Sequence, residues 1–222
     1  MSCYIRPRVT GATVFFTVCL AHRGSTLLLD EVETLRRAVA EVKATLPFDA
    51  LAWVVLPDHM HCVWRLPAGD RAYGVRWGAI KSKFSRAVLR ESGWPKTAVD
   101  IDAQGRLQPR RPGFSPAHED DHHAELPRVW TGRNAGLKPG LRRGKRELGI
   151  WQRRFWEHHI RDEASLAAHI RYCWLNPVKH GLVSMAAEWP NSSIHRDVRA
   201  GRVEPEWSGT VPELEVGEPI GA

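Results

Sequence analysis

His59-Met60-His61 sets two imidazoles two residues apart. In an extended strand alternate side chains share a face, so both rings project together on either side of Met60. Two imidazoles on one side of a strand make half of a divalent-metal site. The same spacing suits two ordinary histidines opening a strand, and a chain with 11 His meets such a pair easily by chance. A second grouping lies on a helix-spaced segment whose apolar stripe is Leu166, Ile170 and Cys173. Ser165, His169, Tyr172 and Asn176 recur at four, three and four residues, a neighbouring polar stripe. Asn176 sits one turn beyond Tyr172, so both can reach one ion or one phosphate. The other reading is a boundary tyrosine and an asparagine that ends a helix ahead of Pro177.

Two further groupings are charged. Gly136 to Arg161 carries Lys138, Arg142, Arg143, Lys145, Arg146, Arg153, Arg154 and Arg161 against Glu147 and Glu157, with Trp151, Phe155 and Trp156 among them. Cations beside stacking rings suit single-stranded nucleic acid. A solvated charged segment beside a core strand would look the same. His118-Glu119-Asp120-Asp121-His122-His123 has the composition of a metal cluster, but its surroundings lack periodicity, which favours a flexible polar loop. The whole chain points the same way as the cations. Its 222 residues hold Lys+Arg 32 against Asp+Glu 25, a net charge of +7, which fits a nucleic-acid partner.

Composition excludes several classes. Hydrophobic residues make up 43%, enough for a core. No apolar run approaches the roughly 18 residues of a membrane span, and the first residues lack the apolar region of a secretory leader, so a cytoplasmic protein is expected. Cys3, Cys19, Cys62 and Cys173 form no zinc-ribbon spacing and read as reduced thiols. No glycine-rich phosphate loop is present, so no nucleotide cofactor is expected.

The elements that must position these residues follow from periodicity. Thr13 to Leu20, Leu51 to Leu56, Met60 to Leu66 and Phe155 to Ile160 read as strands. The continuous apolar run of the second suggests a central strand, and its short connection makes the third antiparallel to it. Asp30 can cap a helix carrying Val32, Leu35, Val39, Val42 and Leu46; a second helix buries Trp77, Ile80, Phe84 and Val88, with Lys81, Lys83, Arg86 and Arg90 largely off that face. Glu163 to Asn176 reads as the last helix, stopped by Pro177. Residues 96–149 read as a flexible insertion, and 211–222, rich in Pro, Gly and Glu, as a loose tail. The order implies one domain with an α+β, ferredoxin-like sandwich: a central antiparallel sheet with helices on one face, and the insertion ahead of the last core strand and the tyrosine helix.

AWVVLPDHMHCVWRLP (52–67), WQRRFWEHHIRDE (151–163), YCWLNPVKHGLV (172–183) and EWPNSSIHRD (188–197) together resemble the REP-associated tyrosine transposases, in the single-tyrosine branch of the HUH endonucleases. The resemblance covers Met1 to Pro95 and Ile150 to Gly209; residues 96–149 lie outside it. It implies that His59 and His61 are metal ligands, Asn176 a third polar ligand, and Tyr172 the nucleophile. The ion implied is Mg²⁺ or Mn²⁺. The partner implied is single-stranded or hairpin DNA at repetitive extragenic palindromes, nicked and rejoined through a 5′-phosphotyrosine. Lys81, Lys83, Arg86, Arg153 and Arg154 are the expected DNA contacts. With one tyrosine per site, either a monomer acting sequentially or a homodimer is expected. A domesticated, non-catalytic hairpin-binding regulator is the alternative.

Overall fold

A computed structural model describes residues 9–91, 100–101, 107–108, 149–214 and 216. The first apolar run forms β1 (Thr13–Cys19), followed by a short helix α1 (Leu27–Asp30) and by α2 (Val32–Thr45). β2 (Asp49–Val55) and β3 (His59–Arg65) make the expected antiparallel pair, and α3 (Tyr73–Glu91) follows. Asp100–Ile101 and Leu107–Gln108 pair as β4 and β5. The core resumes with β6 (Trp156–Ile160), α4 (Glu163–Lys179) and a short α5 (Ile194–Arg199). The His118–His123 cluster and most of the 96–149 stretch lie outside the described residues.

The main sheet has the order β2-β3-β1-β6, with antiparallel pairing throughout. With α2 and α3 as crossovers, this is the ferredoxin-like arrangement. Alternation along the strands divides the core in two. Val14, Phe16 and Val18 of β1 and Met60, Cys62 and Trp64 of β3 face α2 and α3, joining Leu35, Val42, Trp77, Ile80, Phe84 and Val88. Phe15 of β1 and Val63 of β3 face the other way, onto Tyr172 and Cys173 of α4. The two crossover helices thus form the expected layer on one face, and the tyrosine helix covers the opposite face.

Four expectations need correction. β2 is an edge strand, not a central one. Its apolar run reflects burial on both faces, and its free edge is covered: Ser193 N–H donates to the Trp53 carbonyl (2.8 Å) and Val55 N–H to that of Asn191 (2.9 Å). Asp30 ends α1 and accepts a bond from the Thr26 hydroxyl instead of capping α2. Pro177 does not stop the last helix. Proline removes one ladder donor, but the His180 N–H still reaches the Asn176 carbonyl (3.1 Å) and the Leu182 N–H that of Pro177 (2.9 Å), so one more turn closes. Finally, the described part of the 211–222 tail packs down: Val216 is buried and Val211 and Leu214 pack against the same cluster as Tyr172, while Glu215 and 217–222 lie outside the described residues.

Candidate active site

β3 delivers the histidine pair. His59 and His61 share its α4-facing side, their ring centroids 5.1 Å apart, and both are buried. Each ring is held by its Nδ1. Asp58 accepts from His59 Nδ1 at 2.7 Å, and the same carboxylate takes the Gly24 N–H (2.7 Å) and lies 3.4 Å from Arg23 Nε. Thr17, beside His61 in the β1–β3 register, bonds His61 Nδ1 at 2.9 Å. The Thr17 hydroxyl spends its single proton on the Val216 carbonyl, so it accepts from His61. Both rings therefore carry the Nδ1 proton and present Nε2 as the lone-pair atom.

Burial holds His59 below its usual pKa, against the opposing pull of Asp58. For Asp58 burial acts upward, but the bonds from His59 and Gly24 and the charges of His59 and Arg23 outweigh it and keep the carboxyl below its usual range. A neutral imidazole backed by an ionised carboxylate is the form that ligates metal best. Among the described residues the buried His59 Nε2 has no hydrogen-bond partner.

α4 brings the remaining residues. Asp162 caps it, accepting the Ser165 N–H at 2.7 Å. The polar stripe read from the sequence is turned toward the sheet: His169, Tyr172 and Asn176 are all buried. The Tyr172 ring meets His61 edge-on at 5.3 Å and Phe15 at 6.0 Å, and it is 1% exposed. Two turns further, His180 lies edge-on to His59 at 5.4 Å. Asn176 falls on the same stripe midway between them, and so opposite the histidine pair. Lys179 returns to the tyrosine, its Nζ donating to Tyr172 Oη at 2.8 Å. An open cavity of about 510 Å³ lies here, lined by Tyr172, Lys179, Val211, Pro212, Glu213 and Leu214.

Among the described residues, no group of three or more His, Cys, Asp or Glu side chains is placed to hold a metal. A site here would combine the two imidazoles with the Asn176 amide, a mixed N/O donor set open to a divalent cation.

No protein-family model matches the chain. A REP-associated tyrosine transposase from Escherichia coli is 36% identical over 220 residues, spanning 99% of each chain. A relative from Haemophilus influenzae carrying the same family name is 34% identical over 97% of this chain and 98% of its own. The chain belongs to the REP-associated tyrosine transposases. A solved structure of a REP-associated tyrosine transposase bound to a REP hairpin covers all of both chains at 34% identity, with a TM-score of 0.72.

The fold thus brings His59, His61 and Tyr172 together and sets Asn176 on the same stripe of α4, but it does not gather the expected basic residues around them. Lys81, Lys83 and Arg86 stand on α3, across the sheet from Tyr172. Lys81 lies 5.6 Å from the Trp151 ring and 5.7 Å from that of Phe155, donates to the Gln152 carbonyl, and is pushed down to about 8 by burial. Lys83 pairs with Glu41 and Arg86 with Ser82. Arg153 and Arg154 are exposed in the segment leading into β6. Sequence reasoning passed over Asp58, Thr17, Lys179 and His180. Asp58 and Lys179 had a signal: one adjoins the His pair, and the other is seven residues past Tyr172, two turns along one helix face. Thr17 had none, since only strand pairing brings it to His61. Among the described residues no helix is long and apolar enough to cross a membrane.

Proposed function

We propose that this transposase is a metal-dependent endonuclease that nicks and rejoins single-stranded DNA beside hairpin-forming, REP-like palindromes through a 5′-phosphotyrosine on Tyr172. The observation that carries this is the edge-on packing of Tyr172 against His61, with both imidazole Nε2 atoms aimed to one side of β3. The relative's hairpin complex supports the substrate class.

His59 and His61, through Nε2, and Asn176, through its amide oxygen, are the residues that would hold Mg²⁺ or Mn²⁺. When bound, such an ion polarises the scissile phosphate and offsets charge building on its oxygens. Tyr172 attacks phosphorus, its oxygen forming the new P–O bond as the bond to the 3′ oxygen breaks. The 5′ side stays on the protein and the 3′ side leaves as a hydroxyl. The phosphotyrosine ester conserves the bond for rejoining, so no nucleotide is consumed. Asp58 and Thr17 keep the imidazoles in the ligating tautomer. DNA binding would draw on the exposed Arg153 and Arg154, and on Lys83 and Arg86 once their local partners are exchanged for phosphates; Lys81, tethered to the Gln152 carbonyl beside Trp151 and Phe155, is the weakest of the expected contacts. A nick-and-reverse cycle needs one protomer, whereas exchange between two sites needs two or sequential turnovers.

The test uses hairpin DNA with a single-stranded flank, labelled at its 3′ end, and Mn²⁺. A protein-linked label is expected on the Tyr172 peptide. Tyr172→Phe abolishes it while hairpin binding persists; normal cleavage by that variant defeats the proposal. The burial of Tyr172 favours one second reading, a hairpin-binding regulator without cleavage, which predicts binding but no adduct under any of these conditions.

A further inference from the structure

We propose that Lys179 is a catalytic residue of this reaction: its ammonium holds the anionic oxygen of Tyr172, as nucleophile in cutting and as leaving group in rejoining. The inference rests on the reading of Tyr172 as the nucleophile and adds the group that makes its phenol competent.

One contact sets the geometry. Lys179 Nζ donates to Tyr172 Oη at 2.8 Å and lies 5.0 Å from the centre of the Tyr172 ring. The two distances place the ammonium beyond the hydroxyl at the ring's edge, held at the reacting oxygen by the hydrogen bond. The backbone makes this possible. Seven residues are almost two helical turns, so Lys179 stands over Tyr172 only because α4 continues past Pro177. Lys179 is exposed at the mouth of the cavity that Tyr172 lines, whereas the phenol below it is buried. The cation stays hydrated at one end and meets the oxygen at the other.

A tyrosine phenol has a reference pKa near 10, so its nucleophilic anion is scarce at neutral pH. A charge-assisted bond from an ammonium favours that anion directly. In cutting, the phenol proton passes to water, the Oη lone pair forms the bond to phosphorus, and the P–O3′ bond breaks. The released 3′ oxygen takes a proton from water. In rejoining the 3′ hydroxyl attacks, the P–Oη bond breaks, and negative charge returns to Oη beside the same ammonium. Lys179 keeps its protons throughout, so no co-reactant is needed.

The test compares the full chain with its Tyr172→Phe, Lys179→Met and Lys179→Arg variants. Single-turnover adduct formation is followed with saturating protein and Mn²⁺, and hairpin affinity by fluorescence anisotropy without metal. Lys179→Met is expected to slow adduct formation by about 10²-fold or more, the scale of losing one donor to a reacting anion, with hairpin affinity unchanged within about twofold. Lys179→Arg, which keeps the cation, is expected to recover much of that rate, a rescue that a packing role would not show. A substrate with sulfur in place of the bridging 3′ oxygen separates the two ends of the reaction. Its thiolate needs no cation to leave, so a loss that persists in Lys179→Met supports action on Tyr172. Restoration by sulfur would put the ammonium at the leaving oxygen and overturn the inference, as would a rate loss mirrored in hairpin affinity. A Lys179→Met rate near that of the native chain, with Tyr172→Phe inactive, overturns this inference and leaves the nucleophile standing. Cleavage by Tyr172→Phe overturns both. If Lys179→Met melts early, Lys179→Gln is read by the same criteria.

Discussion

Asp58 governs what His59 can offer a ligand. Its carboxylate takes the Nδ1 proton, and Gly24 and Arg23 take up the remaining oxygen, so the side chain cannot rotate away. An amide in its place must turn an NH₂ toward either His59 or the Gly24 N–H. Asp58→Asn is therefore expected to weaken Mn²⁺ binding by about 10- to 100-fold, the usual cost of disturbing such an outer partner. Titration of the protein with Mn²⁺ followed by electron paramagnetic resonance reads this without DNA. Unchanged affinity would mean that His59 is not a ligand. The depressed pKa of Asp58 also has a sign. Its contribution to stability is present above the unfolded carboxyl pKa and is lost as pH falls through the lower folded value. Asp58→Asn should therefore weaken metal binding and lower stability at neutral pH, and its stability deficit against the native chain should shrink as pH falls through the folded carboxyl value.

At the scale of elements, the edge of β2 is the place where a small change has a large effect. The Ser193 hydroxyl accepts the Trp53 backbone N–H at 2.9 Å and the Trp174 Nε1–H at 3.3 Å. One buried oxygen thus ties the sheet edge to α4, the helix that carries Tyr172. Ser193→Ala leaves two donors unmet and is expected to cost about 1–3 kcal/mol, read as a shift in the urea midpoint. A shift under about 0.5 kcal/mol would mean that the Ser193 hydroxyl adds little to the backbone bonds and apolar packing that hold β2. The same region shows where sequence reading stopped. Periodicity found the core faces of α2 and α3 and the strand that carries His59 and His61, because burial on one face imposes a period that residue types reveal. The edge position of β2 left no such mark. Its apolar run records two covered faces, and the partner that closes its edge comes from residues 191–193, far away in the chain. Pro177 misled for a local reason. A proline in the last turn costs one donor, and the carbonyls of Asn176 and Pro177 find N–H groups beyond it. Ending α4 at Asn176 hid Lys179, a cation that reaches Tyr172.

For the whole molecule, the decisive feature is that the chain's own C-terminal segment covers its candidate nucleophile. Val216 is buried in the cluster that contains Tyr172, and its carbonyl takes the Thr17 hydroxyl that orients His61. Val211 and Leu214 pack beside it, and Tyr172 is left 1% exposed. If this segment must lift before phosphorus reaches the phenol oxygen, the reactive state is a minor one. Each factor of ten in its scarcity corresponds to about 1.4 kcal/mol, and burying one valine side chain contributes roughly 1.5–3 kcal/mol. A chain ending at Thr210 should therefore form the Tyr172 adduct at least about tenfold faster in single turnover. Its melting temperature should fall, because the apolar cover is gone, and hairpin affinity should change little if the DNA is held mainly by basic residues elsewhere. The rate and the melting temperature are separate readouts with opposite expected signs. A truncated chain that melts lower but cuts no faster would show that the segment supports the fold without guarding Tyr172. One that cuts faster at unchanged stability would show that it screens the phenol without adding to the core.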